Sequence, residues 1–108
     1  MPRYITFFSY TGASAKAMIE HPSDRSAAAK ALTESLGGTL ESFYWMQGKH
    51  DGVFIYTVKD GVTAAAIALA VGSTGAITGI ETHQLFDRDE QASIVETAKK
   101  VTYKPPTG

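Results

Sequence analysis

The sequence contains no cysteine. This absence excludes disulfides, thiolate metal sites, cysteine nucleophiles and iron–sulfur clusters held by cysteine, and it fits a reducing compartment. The chain also lacks a basic segment, since ten Lys and Arg residues are balanced by eleven Asp and Glu residues for a formal charge of −1. Because binding to phosphates needs clustered positive charge, we expect no nucleic acid as partner.

Long hydrophobic runs are absent as well. The longest one, Ala64 to Val71, falls far short of the ~20 residues that a helix needs to cross a bilayer, and the first residues lack the apolar region of a secretory signal. We therefore expect a cytoplasmic protein with no membrane partner. A length of 108 residues is typical of one domain. We expect this domain to span residues 1–102, followed by a tail over residues 103–108.

The first half of the chain predicts a strand, a helical region and a hairpin. Tyr4 to Tyr10 is aromatic and β-branched, which is typical of a strand. The Ala-rich stretch from Ala13 to Leu36 indicates helix, but a proline cannot lie inside one, so we expect a second helix to begin at Pro22. Two strands, Thr39 to Gln47 and Val53 to Lys59, then flank a turn that contains Asp-Gly.

The second half predicts helix, strand and helix. Val62 to Val71 indicates a short buried helix that Asp60 or Thr63 caps, and a fourth strand follows within Ala76 to Phe86. The last helix combines a capping pair with an apolar stripe: Asp87 with Glu90, then Ile94, Val95, Ala98 and Val101. The order βαββαβ with an extra C-terminal helix predicts a ferredoxin-like α+β domain around a four-stranded antiparallel sheet.

Both faces of this sheet carry large apolar side chains. Helices can cover only one face, and a solvated second face would show polar residues at alternate positions. We therefore expect a homodimer through the sheet face, since a large exposed apolar patch marks an interface and two-fold pairing is the commonest way to cover it. Alternation places Leu40, Tyr44 and Met46 opposite Phe43 and Trp45, and Val53 and Ile55 opposite Phe54, Tyr56 and Val58.

Several short segments carry a resemblance to a known family. They are Pro22 with the helix after it, Glu34-Ser35-Leu36-Gly37-Gly38, Phe43-Tyr44, Gly48-Lys49-His50-Asp51, Ala70-Val71-Gly72-Ser73 and Glu81-Thr82. In these segments the sequence resembles the GYD domain proteins of the dimeric α/β-barrel superfamily. The resemblance implies the ferredoxin-like fold and dimerisation, but no particular reaction. The naming motif is altered, because His50 stands where its tyrosine would be, and His83 stands where an aliphatic residue is expected.

Two pairs of a carboxylate and an imidazole are candidates for acid–base catalysis. The first is His50 with Asp51. Its alternative is a structural one, in which Asp51-Gly52 forms the hairpin turn and His50 is exposed, and we favour this because adjacent strand residues point to opposite faces. The second is Glu81 with His83, which lie two residues apart and share one face. Its alternative is a polar pair at a sheet edge or dimer interface.

Three aromatic residues with polar groups are candidates for ligand binding: Tyr44, Trp45 and Tyr56. Their ring and polar atom suit the wall of a pocket for a small apolar or aromatic molecule, and the alternative is that they belong to the core or the dimer interface. The resemblance implies a place for such a molecule, because relatives in this superfamily bind small molecules between sheet and helices.

The three histidines do not form a metal site by spacing, since His21, His50 and His83 lie in different elements. We expect no cofactor, although the pattern leaves open a haem or a metal held by one histidine. Three functions remain. The favoured one is binding or sensing of a small molecule. The second is a cofactor-independent enzyme resembling the monooxygenases and lactone isomerases of the superfamily, and the third is a structural homodimer that assembles with another protein.

Overall fold

Four strands pair into one antiparallel sheet with the order β2-β3-β1-β4 in the computed structural model, which describes residues 1–107. This is the predicted ferredoxin-like α+β arrangement, and the extra C-terminal helix is present. The elements in chain order are β1 Arg3–Tyr10, α1 Gly12–Glu20, α2 Arg25–Ser35, β2 Thr39–Trp45, β3 Gly52–Thr57, α3 Gly61–Gly72, β4 Ile77–Leu85 and α4 Arg88–Ala98.

The core lies between the sheet and helices α2 and α3. Alternate residues of β1 and β3 are buried on this face, as the period of two in a strand requires. The predicted division of β3 into two faces is therefore confirmed. We call the other side, which no helix within residues 1–107 covers, the open face. The buried core consists of Tyr4, Phe8, Phe54, Tyr56, Val58, Ala64 and Ile67.

The predicted faces of β2 are partly wrong, because the strand contains a bulge. Its pairing with β3 shifts between Leu40 and Ser42, so Glu41 is the extra residue. The bulge puts Leu40 on the core side together with Phe43, although simple alternation separates them. Glu41 instead reaches across the open face, where its carboxylate accepts a hydrogen bond of 2.8 Å from Nε of Arg3.

The second helix begins at Arg25, and the predicted start at Pro22 is wrong. Asp24 is the N-cap, and its carboxylate accepts hydrogen bonds from the backbone N–H groups of Ser26 and Ala27. A capping carboxylate accepts hydrogen bonds from N–H groups that have no partner within the helix. A proline in the first turn merely lacks an N–H group of its own and satisfies none of the others. The helix therefore starts after the cap.

Helix α3 is capped by Asp60, as predicted, but it is not a buried helix. Only Ala64 and Ile67 are buried, while Val62 is 80 % and Leu69 is 78 % exposed. An apolar helix of this length is predicted to be buried on all sides because its composition shows no polar face. The sheet covers only one side, and the opposite apolar side faces outward.

Helix α4 begins with the predicted capping box, in which Asp87 and Glu90 exchange hydrogen bonds between side chain and backbone. Its apolar stripe is not covered, since Ile94, Val95 and Val101 are all exposed and α4 has no extensive packing contact with another element. The radius of gyration is 17.3 Å, against about 13 Å for a compact domain of 100 residues. The chain is therefore more extended than a compact domain of similar length.

Within residues 1–107, no helix has the length and apolar character needed to cross a bilayer.

Candidate functional site

A cavity of about 240 Å³ lies between the sheet and helices α2 and α3. The sheet forms its floor and the two helices form its roof. Its walls are predominantly apolar and come from every strand of the described sheet. The lining residues are Thr6, Phe8 and Tyr10 of β1, Phe43 of β2, Phe54 of β3, Ile77 and Ile80 of β4, Arg25, Ala28, Ala29 and Leu32 of α2, and Ile67, Ala68 and Val71 of α3.

Small side chains on the helices leave this space open. Ala28 and Ala29 of α2 and Ala68 of α3 face the floor, and a methyl group cannot fill the layer between a helix and a sheet. Protein interiors are normally packed with few voids larger than a water molecule. An engineered apolar cavity of about 150 Å³ already admits benzene, so this one has room for a larger molecule.

The floor of the cavity is a set of aromatic rings that support one another. The centroid of Phe8 lies 5.6 Å from that of Phe43 and 6.0 Å from that of Phe54. Phe43 and Phe54 are 5.9 Å apart with planes only 16° from parallel. Pairs at these separations attract each other beyond their buried area. The floor is therefore a shaped apolar surface suited to a flat ligand.

Polar groups touch the cavity at few positions. The Thr6 hydroxyl forms hydrogen bonds of 2.9 Å with the hydroxyls of Tyr56 and Thr82, so it is already engaged. The Tyr10 hydroxyl accepts a hydrogen bond of 3.1 Å from Nε1 of Trp45. Its own proton has no acceptor among the described side chains, so it is available to a ligand.

The structure places the three predicted ligand-binding aromatics in different surroundings. Tyr44 is 67 % exposed and pairs with Val53 on the open face, away from the cavity. Trp45 lies at the cavity's edge, where it contacts Phe43 and bonds to Tyr10. Tyr56 is fully buried in the core beside Phe54, on the same face of the sheet as the cavity but outside its lining, and this burial raises the pKa of its hydroxyl. Their binding roles stay predictions.

The sequence offers Phe8, Phe43 and Phe54 as aromatic rings that could line a pocket for a flat ligand, but it favours a place in the core or the dimer interface for them. The signal that could have found the cavity lies elsewhere, in α2 and α3. Alanines that fall on the inner side of a helix opposite large rings leave volume unfilled.

The open face brings three of the predicted catalytic residues together. Nε2 of His83 lies 3.1 Å from Oε2 of Glu81, as their spacing predicts. The ring of Phe7 lies 5.4 Å from that of His50 and 6.5 Å from that of His83, so it neighbours both imidazoles. The hydrogen bond from His83 lowers the pKa of Glu81, and the positive charges of His83, Lys49 and His50 lower it further.

Asp51 does not join this cluster. Its carboxylate accepts a hydrogen bond of 2.9 Å from the backbone N–H of Tyr10, and its own N–H donates to the carbonyl of Phe8 at 2.9 Å. These bonds tie the hairpin turn to β1, which is the structural role considered for Asp51 above. Nδ1 of His50 is shielded from solvent and has no protein hydrogen-bond partner among residues 1–107.

The sheet itself separates the cavity from the open-face cluster. Phe7 belongs to the cluster, whereas its neighbours Thr6 and Phe8 line the cavity. Because consecutive residues of a strand point to opposite faces, the imidazoles cannot reach a molecule bound in the cavity of the same chain. In the part of the chain that the structure describes, no three His, Asp or Glu residues are placed to hold a metal ion.

Comparison with known proteins identifies the family. The family model for the GYD domain matches residues 4–95, which run from β1 into α4. The matched range includes the cavity-lining residues and the open-face cluster. A comparison with curated proteins found no match. Since the family model covers most of the chain, the chain belongs to the GYD domain family.

Proposed function

We propose that this GYD domain protein binds or senses a small apolar molecule in the cavity between the sheet and helices α2 and α3. The observation that carries the proposal is the cavity of about 240 Å³ whose floor is built from Phe8, Phe43 and Phe54. Ligand sites are typically concave, mostly apolar and supplied with a few polar groups. The absence of cysteine in the sequence supports a cytoplasmic location for this activity.

Binding is favoured over catalysis because of where the titratable groups lie. The imidazoles of His50 and His83 and the carboxylate of Glu81 occupy the open face. Among the described residues, the cavity lining offers two hydroxyls and one guanidinium, but no carboxylate or imidazole to move a proton. A molecule held there is therefore recognised rather than converted.

Filling the cavity from within tests this proposal. Ala68 lines the cavity, so Ala68→Leu places an isobutyl group in the space that a ligand needs. Ala65→Leu is the matched control, because Ala65 lies on the exposed side of the same helix. The neutral probe 2-naphthamide should bind the wild type and the control equally.

Its affinity for Ala68→Leu should fall about tenfold or more, since two groups cannot share one packed volume. Fluorescence titration measures the dissociation constant of the probe for each of the three proteins. Equal affinity in all three proteins would reject the cavity as the ligand site.

We also propose that two copies form a homodimer through the open face. Five apolar side chains lie there without a helix to cover them, and each is only half-buried in a single chain. A second copy offers a matching apolar surface, as a two-fold interface requires. These residues are Ile5, Phe7, Val53, Ile55 and Leu85.

The second candidate function, a cofactor-independent enzyme, is favoured by one observation. The hydrogen bond of 3.1 Å between Glu81 and His83 orients an imidazole beside His50 and Phe7. In the proposed dimer this cluster would lie at the interface, where water is excluded. His83→Ala should then abolish conversion of a molecule bound beside this cluster but leave its affinity unchanged. Conversion by this variant at the wild-type rate would reject catalysis by His83.

A further inference from the structure

We infer that the cavity selects apolar molecules that carry one anionic group, of which an aromatic carboxylate is the simplest, and that Arg25 recognises the anion. The inference rests on the proposed function, because it names the ligand class of the same cavity. It comes from the charges that line the cavity rather than from its shape.

Arg25 is the one charged residue in the described lining of the cavity. No carboxylate lies within ion-pair distance of it among residues 1–107, whereas Lys30 on the same helix pairs with Glu34 at 3.6 Å. The neighbouring Asp24 directs its carboxylate to the N–H groups at the start of α2 and not to Arg25. The guanidinium is therefore free to pair with a ligand.

The topology brings a second donor to the same end of the cavity. Arg3 at the start of β1 pairs with Thr57, and Thr57 pairs with Thr39 at the start of β2. These three residues mark one end of the strands. Helix α2 leads into β2, so it finishes near this end and begins near the opposite end of the strands, where β1 finishes at Tyr10. Arg25 and the Tyr10 hydroxyl therefore lie at one end of the cavity.

Both groups at this end can donate hydrogen bonds. The Tyr10 hydroxyl already accepts from Trp45, so its remaining capacity is as a donor. A guanidinium has only donors, and its planar fork matches a carboxylate with two parallel bonds. A cationic ligand would meet like charge, and an entirely apolar one would form no hydrogen bond with these donors. The complementary ligand has a ring over the phenylalanine floor and an anion at Arg25.

Two probes of the same shape and different charge test this inference. They are 2-naphthoate, which carries a carboxylate, and 2-naphthamide, which replaces it with a neutral amide. Arg25→Gln removes the positive charge from the cavity, and Arg88→Gln is the matched control on α4, outside the cavity. Fluorescence titration gives the affinities, and circular dichroism verifies that the variants are folded.

The wild type and Arg88→Gln should bind 2-naphthoate more tightly than 2-naphthamide. Arg25→Gln should weaken 2-naphthoate binding by about tenfold, the size expected for one charge-assisted hydrogen bond, and leave 2-naphthamide unaffected. High ionic strength should reproduce part of this loss. Equal binding of both probes with no effect of Arg25→Gln would overturn the inference and leave the proposed function intact. Failure of both probes to bind the wild type would overturn both.

Discussion

The Glu81 carboxylate and the His83 imidazole are joined by a hydrogen bond of 3.1 Å on the face of the sheet that no helix covers. Both side chains are about half exposed, so water screens much of their interaction. The bond is nevertheless the main cause of the lowered pKa of Glu81. This contact therefore has a measurable electrostatic consequence, even though its contribution to folding is small.

Replacing His83 should return the pKa of Glu81 toward its ordinary value. His83→Ala removes both the hydrogen bond and a positive charge, so the pKa should rise, as followed by carbon NMR of the carboxyl group. His21→Ala is the control, since His21 follows α1 and does not contribute to the shift. Because the folded pKa is depressed, the stabilisation is present above the unfolded pKa and is lost as the pH falls through the folded one. An unchanged pKa in His83→Ala would contradict the contact.

Removal of the Tyr56 hydroxyl should destabilise the fold by about 1 kcal/mol, the net value of a typical buried hydrogen bond. Tyr56→Phe loses the bond of 2.9 Å to Thr6, which keeps its bond to Thr82. Denaturant unfolding measures the change, and Tyr103→Phe in the exposed tail serves as control. Equal stability of Tyr56→Phe and the wild type would show that this bond adds nothing.

The same residue predicts how the protein responds to alkaline pH. Burial raises the pKa of Tyr56 above its ordinary value of 10.0. A raised folded pKa means that the stabilisation is complete below the unfolded pKa and is lost as the pH rises through the folded one. Tyr56→Phe should therefore lose less stability than the wild type in this range. If denaturant unfolding shows that both proteins lose stability equally as the pH rises, the raised pKa of Tyr56 is contradicted.

Truncation of an apolar side chain should lower the free energy of unfolding strongly in α3 and only slightly in α4. Ile67 is 3 % exposed in the core, so Ile67→Ala should lower the free energy of unfolding by about 3 kcal/mol. Ile94 is exposed on α4, and Ile94→Ala should change it by about 0.5 kcal/mol or less. Denaturant unfolding at low protein concentration provides both values. A large loss for Ile94→Ala would mean that α4 packs against another surface.

A charge in the middle of the open face should prevent the proposed dimer. The wild type should sediment at about twice its chain mass of 11.5 kDa at micromolar concentration. Phe7→Lys should sediment as a monomer, because it places a charge where the two apolar faces meet. Ile19→Lys on the exposed side of α1 is the control and should remain dimeric. A monomeric wild type would reject the dimer.

Local chemistry made several features predictable. The hairpin of β2 and β3 follows from two β-rich segments around a turn, and the caps of α3 and α4 follow from Asp60 and from Asp87 with Glu90. The contact between Glu81 and His83 was predictable as well, since residues two apart on a strand share a face. Each of these depends on residues close together in the chain.

Other features depended on residues far apart in the sequence. The bulge at Glu41 reflects the pairing of β2 with β3 and the reach of its carboxylate to Arg3, so alternation alone misplaced Leu40. The outward apolar side of α3 could not be predicted either. Composition shows that the helix is apolar, but only the packing of the whole domain shows how much of it the sheet covers.

The sequence by itself determined the order of the elements, their caps and the pairing of Glu81 with His83, because periodicity and hydrogen bonding within a few residues decide these. Only the tertiary structure decided that alanines of α2 and α3 face the rings of Phe8, Phe43 and Phe54 across an unfilled space. It also placed the imidazoles on the other side of the sheet from that space. Volumes and distances between elements depend on how the chain packs, and no local pattern encodes them.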